Sequence, residues 1–216
     1  MTKLEIYEQI KNITSSLIGV NLSEEQNFPS EKDGVIYISG NHDISVSLRN
    51  ISYADIYKVL RDDKNYNLKL IDGALIQIQY SFDSDDNLLK YRLVFFPSPN
   101  VEEFQNNSEF YSLDEIYADI IEKNIITTPL RFDYDPSNHA VIHHPASHLT
   151  IGQYKNCRIP LKKPITPNIF IDFILRNFYN TAKNKYSDEL NFDKNNSFED
   201  CIHDLETEIL HVSINS

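Results

Sequence analysis

The chain has 216 residues, of which 41% are hydrophobic and 24% are charged, a balance that excludes a largely disordered or fibrous protein. Its formal net charge of -12 disfavours broad, sequence-independent binding of nucleic acid, because a negative field repels phosphate backbones. No apolar run approaches the roughly 20 residues of a membrane span, and the N-terminus, Met1-Thr2-Lys3-Leu4-Glu5, carries an acid where a signal peptide would have a basic start.

These features predict a cytoplasmic protein with no membrane association and a single domain over residues 1–216. Cys157 and Cys201 are isolated thiols, which fits a reducing compartment and excludes both a disulfide framework and a cysteine zinc cluster. The Asn- and Lys-rich stretch at 184–196 is the candidate for a mobile segment.

Apolar spacing and capping signals predict the elements of the first third of the chain. They are a helix capped by Thr2 that runs to about Ile18, strands at Val35–Ile38 and Ile44–Leu48 with a turn at Gly40–Asn41, and a helix from Ser52 to about Leu60.

The clearest pattern is a β-hairpin. Apolar and polar residues alternate from Ile76 to Phe82, and alternation returns from Leu89 to Phe95 after an Asp- and Asn-rich loop. A period of two is typical of a strand with one buried face, so the two segments predict an antiparallel pair.

Similar signals predict the elements of the second half. They are a helix with a capping box at Ser112 that runs to about Lys123, strands at Leu130–Tyr134, Leu149–Ile151 and Arg158–Leu161, a helix that begins at Thr166–Pro167, and a final helix from Ser197 to about Leu210. Together the elements predict an α+β fold, with a mainly antiparallel sheet and helices packed on one face.

Histidines are concentrated between two of these strands. Four of the seven lie between His139 and His148, and Pro136 and Pro145 exclude a helix there. Alternation places Asp133 on the polar face of one strand and His148 on the polar face of the next. If both apolar faces enter the same core, Asp133 and His148 meet on the other side of the sheet.

This pattern offers acid–base chemistry. Asp133 with His144 or His148 makes a candidate catalytic pair, because a carboxylate can orient an imidazole that moves a proton near neutral pH. Three arginines are candidates for binding a phosphate group of the substrate: Arg92, Arg131 and Arg158.

Two other interpretations of the histidines stay open. They could bind a divalent metal, although their spacing matches no standard site, and no cofactor is otherwise predicted. They could also serve only as turn and backbone hydrogen-bonding residues.

Three segments in order carry a resemblance to known families. Tyr91–Leu93 ends the hairpin, Arg131–Asp135 follows, and His144–Gly152 reads His-Pro-Ala-Ser-His-Leu-Thr-Ile-Gly. Over nearly its whole length the chain resembles an uncharacterised bacterial domain-of-unknown-function family. From Ile76 to Gly152 it more distantly resembles the TumE-like toxins, although Thr150 stands where the toxin pattern has a second histidine.

The resemblance implies a bacterial toxin–antitoxin or phage-defence component that acts on RNA and has a protein partner, either an antitoxin or another defence-system subunit. In that interpretation the chain is a ribonuclease-like enzyme in which His144 and His148 act as acid and base, Asp133 orients one of them, and Arg92 and Arg131 bind the phosphate. The alternative is a non-enzymatic, acidic interaction subunit of a defence complex, which the net charge favours. A third hypothesis is a metal- or nucleotide-sensing regulator.

Overall fold

A computed structural model describes residues 1–38, 51–99, 127–154 and 156–214. Its helices are α1 (Lys3–Gly19), α2 (Tyr53–Asp62), α3 (Pro167–Phe178), α4 (Asn180–Lys185) and α5 (Asp204–Thr207). Its strands are β1 (Ser23–Gln26), β2 (Pro29–Lys32), β3 (Val35–Ile38), β4 (Leu68–Leu70), β5 (Leu75–Phe82), β6 (Leu88–Phe96), β7 (Leu130–Tyr134), β8 (Ser147–Ile151) and β9 (Ile159–Pro160). Among the described residues, no helix has both the length and the apolar character needed to cross a membrane.

The strands of the described residues pair antiparallel in one sheet. The main order is β1-β4-β5-β6-β7-β8-β9, and the β2–β3 hairpin joins β5 through β3. The predicted α+β class with a mainly antiparallel sheet is therefore confirmed, and the predicted hairpin is its longest pair, β5 with β6.

The main core lies between one face of the sheet and helices α1 and α3. Alternate residues of the hairpin, including Ile78, Tyr80 and Leu93, enter this core, and Phe170 of α3 packs edge to face on Phe132 of β7. A smaller core forms where α2 packs on Leu75, Val94 and Phe96, which alternate with main-core residues. The small core therefore lies on the opposite face of the sheet.

Helix starts follow the capping signals. Thr2 and Glu5 form a reciprocal capping box, Ser52 caps α2, and Thr166 caps α3 ahead of Pro167. The predicted strand at Ile44–Leu48 with its turn, and the predicted helix from Ser112, lie outside the described residues.

The prediction of one long final helix from Ser197 to Leu210 was wrong, because only Asp204–Thr207 is helical. The residues before this helix instead form hydrogen bonds with another segment of the chain. The amides of Cys201 and Ile202 both donate to the Lys162 carbonyl, at 2.9 and 3.2 Å. Tertiary hydrogen bonds here replace the helical ones that the local sequence favours.

The single-domain prediction and the mobile segment at 184–196 stay predictions. Within that segment Leu190 and Phe192 are buried in the main core, and the Asn196 side chain donates to the carbonyl of Pro164 at 2.8 Å.

Candidate acid–base site

Three neighbouring strands bring the polar residues of the site into one row. Arg92 of β6 pairs with Asp133 of β7, which pairs with His148 of β8. Their sequence neighbours Phe132 and Leu149 point to the other face, where they pack in or against the main core. The antiparallel register therefore places Asp133 and His148 beside each other, as the alternation predicted.

Asp133 is shared by two arginines. Arg92 donates from Nε to Oδ1 at 2.9 Å, and Arg131 donates from Nε to Oδ2 at 2.5 Å. The side chains of Asp133, Arg92 and Arg131 are only 10%, 15% and 18% exposed. Charge-assisted bonds of this kind, at sites with little water, fix the position of the carboxylate.

The same arginines keep Asp133 ionised. Burial raises the pKa of the Asp133 carboxyl, but the charges of Arg131 and Arg92 and the hydrogen bond from Arg92 outweigh it, so its pKa ends below the ordinary value. Two guanidinium groups therefore share one carboxylate, so Asp133 neutralises only one of their two positive charges.

His148 is buried, with 2% of its surface exposed. Its Nδ1 donates to the Pro145 carbonyl at 2.9 Å, which leaves Nε2 as the acceptor nitrogen of the neutral ring, 3.8 Å from Asp133 Oδ2. Burial lowers the pKa of His148 more than the Pro145 bond and the Asp133 charge raise it. His148 is therefore neutral at pH 7.

His144 lies over His148 and is the more accessible of the two. Their rings meet edge to face with centroids 4.9 Å apart. The His144 side chain is partly exposed, yet its Nδ1 is buried and has no hydrogen-bond partner among the described residues. Because Nδ1 is buried, proton exchange with a ligand would use the other ring nitrogen of His144, Nε2.

A tight turn holds His144 in place. Ala140 and His144 exchange backbone hydrogen bonds of 2.9 and 2.6 Å, and between them Ile142 has a φ of 65°. A β-branched residue is strained in this left-handed region. The buried carboxylate of Glu206 stabilises the turn, since it accepts from the Ile142 amide at 3.1 Å and from His139 Nε2 at 3.2 Å.

The structure thus brings five predicted residues together: Arg92, Arg131, Asp133, His144 and His148. Arg158 lies at the edge, where it donates to the His143 carbonyl at 3.5 Å and its charge contributes to lowering the pKa of His148. His139 binds Glu206, and the His143 side chain is exposed. That any of these residues is catalytic stays a prediction.

Glu206 was missed by the sequence analysis because it fell inside the predicted long helix. A signal was present: His203 caps α5, and Glu206 three residues later accepts from the His203 amide at 3.1 Å. This is a capping box with an unusual cap residue.

Within the part of the chain that the structure describes, no group of three or more His, Cys, Asp or Glu side chains could hold a metal ion. The polar row, which consists of Arg92, Arg131, Asp133 and His148, is instead rich in arginine. Cationic side chains do not coordinate metals. The arrangement of the described residues is suited to binding an anion and to transferring a proton.

Comparisons with curated proteins and with solved structures found no match. A family model described as an uncharacterized conserved protein (DUF2290) matches residues 22–214, which include every element from β1 onward and the whole candidate site. The match confirms the predicted membership of a domain-of-unknown-function family, whereas the bacterial origin and the resemblance to TumE-like toxins stay predictions. The chain belongs to the DUF2290 family of uncharacterized conserved proteins.

Proposed function

We propose that the protein is a ribonuclease-like component of a bacterial toxin–antitoxin or phage-defence system, with the polar row of β6, β7 and β8 as its site. The observation that carries this proposal is the pairing of Arg92 and Arg131 with a single carboxylate, Asp133, beside His148, on which the ring of His144 packs. It combines a positive charge that Asp133 does not neutralise with a partly exposed histidine, His144, whose ring packs on His148.

The charge favours a phosphodiester substrate. Both arginines contact Asp133 through Nε, and among the described residues their terminal nitrogens bind no other acceptor, so these nitrogens can bind a substrate oxygen. A planar guanidinium matches the geometry of a phosphate, and bonds to it are strong at a site with little water. The chain is acidic overall, so a phosphate is drawn to this row rather than to the surface at large.

His144 is the residue that transfers protons in this proposal. In this mechanism His144 removes the proton of the ribose 2′-hydroxyl, the 2′-oxygen bonds to the neighbouring phosphorus, and the bond from phosphorus to the 5′-oxygen breaks. The 5′-oxygen leaves with the proton from His144, which gives a 2′,3′-cyclic phosphate and restores the neutral imidazole. His148 and Asp133 act as positioning residues, because His148 is buried and its Nδ1 is bound to a backbone carbonyl.

The burial of His148 also favours a second candidate function. A buried histidine bound to the Pro145 carbonyl is suited to a structural role, and the net charge of -12 suits docking on a basic partner. In this alternative the protein is a non-enzymatic interaction subunit of a defence complex, and the polar row only stabilises the sheet.

Incubation of the purified protein with an RNA oligonucleotide and with DNA of the same sequence separates the two candidates. The ribonuclease proposal predicts cleavage of the RNA with 2′,3′-cyclic phosphate ends and no cleavage of the DNA, because DNA lacks the attacking hydroxyl. Equal cleavage of both would overturn the mechanism, and cleavage of neither would favour the interaction subunit.

Growth of a bacterial host provides the test of the biological setting. Expression of the chain alone should slow growth, and co-expression of the protein encoded next to it should restore it. Unchanged growth in both cultures would contradict the toxin assignment.

A further inference from the structure

A second site lies on the helical face of the sheet, behind the polar row. It is a pocket of about 360 Å³ between strands β7 and β8, helix α3 and the C-terminal segment. Its volume falls within the usual range of small-molecule sites. Its walls are mainly apolar and include Phe132, Leu149, Ile165, Ile169, Phe173 and Val212.

Cationic side chains surround one carboxylate at this pocket. Asp172 of α3 lines it and has a side chain that is 5% exposed, with Arg176 Nη2 against Oδ2, Lys194 Nζ 3.3 Å from Oδ2 and Lys183 Nζ 2.7 Å from Oδ1. Three cations thus share one carboxylate, which leaves two positive charges that Asp172 does not neutralise.

The accessible cations are those that line the pocket. The side chains of Arg176 and Lys194 are 57% and 51% exposed, whereas that of Lys183 is 18% exposed. Arg176 and Lys194 can therefore turn toward an incoming anion while Lys183 remains with Asp172. Apolar walls beside an excess of positive charge are complementary to a molecule with an apolar tail and an anionic head.

We propose that this pocket binds a small amphiphilic carboxylate, of which a medium-chain fatty acid is the simplest example. The tail lies among the apolar side chains, and the carboxylate pairs with Arg176 and Lys194. None of these residues belongs to the polar row, so this proposal does not depend on the proposed function.

The test is titration calorimetry of the full chain with octanoate, octan-1-ol and acetate. Octanol keeps the tail without the charge, and acetate keeps the charge without the tail. We expect octanoate to bind at least tenfold more tightly than octanol, since one charge-assisted contact at a partly exposed site contributes about a factor of ten. We expect a difference at least as large from acetate, because the longer tail of octanoate buries additional methylene groups. Equal affinities for octanoate and octanol, or for octanoate and acetate, would overturn the proposal.

The double variant Arg176→Gln with Lys194→Gln locates the head group. It should lose about tenfold in octanoate affinity and keep its octanol affinity, because both side chains are half exposed and their truncation leaves the core intact. The matched control, Lys58→Gln with Arg61→Gln, removes the same charge from exposed positions of α2 and should bind octanoate as the wild type does. An unchanged affinity in the first variant would refute the assignment.

Methyl NMR of the wild type locates the tail. Octanoate should shift the methyl resonances of Ile165, Ile169 and Val212 but not that of Ile56, which lies in the small core under α2. Shifts confined to residues outside the pocket would contradict the proposal even if octanoate binds.

Discussion

Asp133 faces two arginines and a histidine in a row of side chains that crosses three strands. The row depends on the carboxylate, because without it two largely buried guanidinium groups would lie together with no counter-charge from the described residues. A carboxylate in this position both orders the arginines and limits how tightly they can bind a phosphate.

Asp133→Asn is expected to lower the free energy of unfolding by about 3–5 kcal/mol, the usual cost of removing one partner from a buried ion pair. Urea unfolding measures the change. The control is Asp62→Asn, which breaks the exposed ion pair between Asp62 and Arg61. Their side chains are 51% and 42% exposed, so this variant should change the free energy of unfolding little. Equal effects of the two variants would show that the Asp133 pairs contribute no more than surface ones.

His148 gives the protein a pH dependence of defined sign. Burial lowers its pKa below the ordinary 6.5, so between these two values the unfolded chain binds a proton that the folded protein does not. The contribution of His148 to stability is therefore complete above about pH 6.5 and is lost as the pH falls toward the lower, folded-state pKa.

His148→Asn tests this dependence, because the amide can still donate to the Pro145 carbonyl but does not titrate. The free energy of unfolding of the wild type should fall more than that of the variant between pH 7.5 and about pH 5.5, as measured by urea unfolding at each pH. Parallel curves would mean that His148 is not held neutral by the fold.

Among the elements, the turn at 140–144 and helix α5 form one unit. Glu206 at the start of α5 binds the amide of the strained Ile142 and the ring of His139, so the C-terminal segment helps to fix the histidine loop. The position of His144 thus depends on residues more than 60 positions away in the sequence.

Glu206→Ala is expected to lower the free energy of unfolding by about 1–3 kcal/mol, because it leaves partly buried donors without an acceptor. It should also speed hydrogen exchange of the Ile142 amide. Glu208→Ala, an exposed glutamate after the same helix, serves as the control and should change neither quantity. Slow exchange at Ile142 in the Glu206 variant would show that the turn holds without its acceptor.

How far the sequence could predict these elements depended on whether the signals were local. Alternation in Leu130–Tyr134 and in the strand around Leu149 was sufficient to place Asp133 beside His148, because a period of two fixes the face of each side chain. The prediction of a long final helix was wrong because the Lys162 carbonyl accepts from the amides of Cys201 and Ile202. This is a contact between distant segments that no local pattern encodes. The role of Glu206 in the turn was hidden for the same reason.

At the scale of the whole molecule, the sheet separates two different environments. The polar row lies on one face of β7 and β8, and the apolar pocket with its cationic residues lies on the other. Both positions carry local positive charge in a chain whose net charge is -12. A negative chain with two locally cationic positions is suited to contact with a few phosphate or carboxylate groups at a time, such as a single phosphodiester of an RNA, rather than with a long stretch of backbone.

The composition predicted the overall acidity but could not predict these two sites. Arg176 and Lys194 lie 18 positions apart in the sequence and meet only through Asp172 in the folded chain. The arginines of the polar row were selected as candidates because their strands were recognised, whereas the pocket needs α3 and the C-terminal segment to be placed on the sheet.

The role of His144 is tested by the RNA cleavage rates of the variants His144→Ala and His143→Ala. The two histidines are adjacent in the same loop, but only the His144 ring packs on His148, and the His143 side chain is exposed. If His144 transfers the proton, His144→Ala lowers the rate by about 10²–10⁴-fold with an unchanged urea midpoint, while His143→Ala cleaves as the wild type does. Equal rates for the two variants would contradict it.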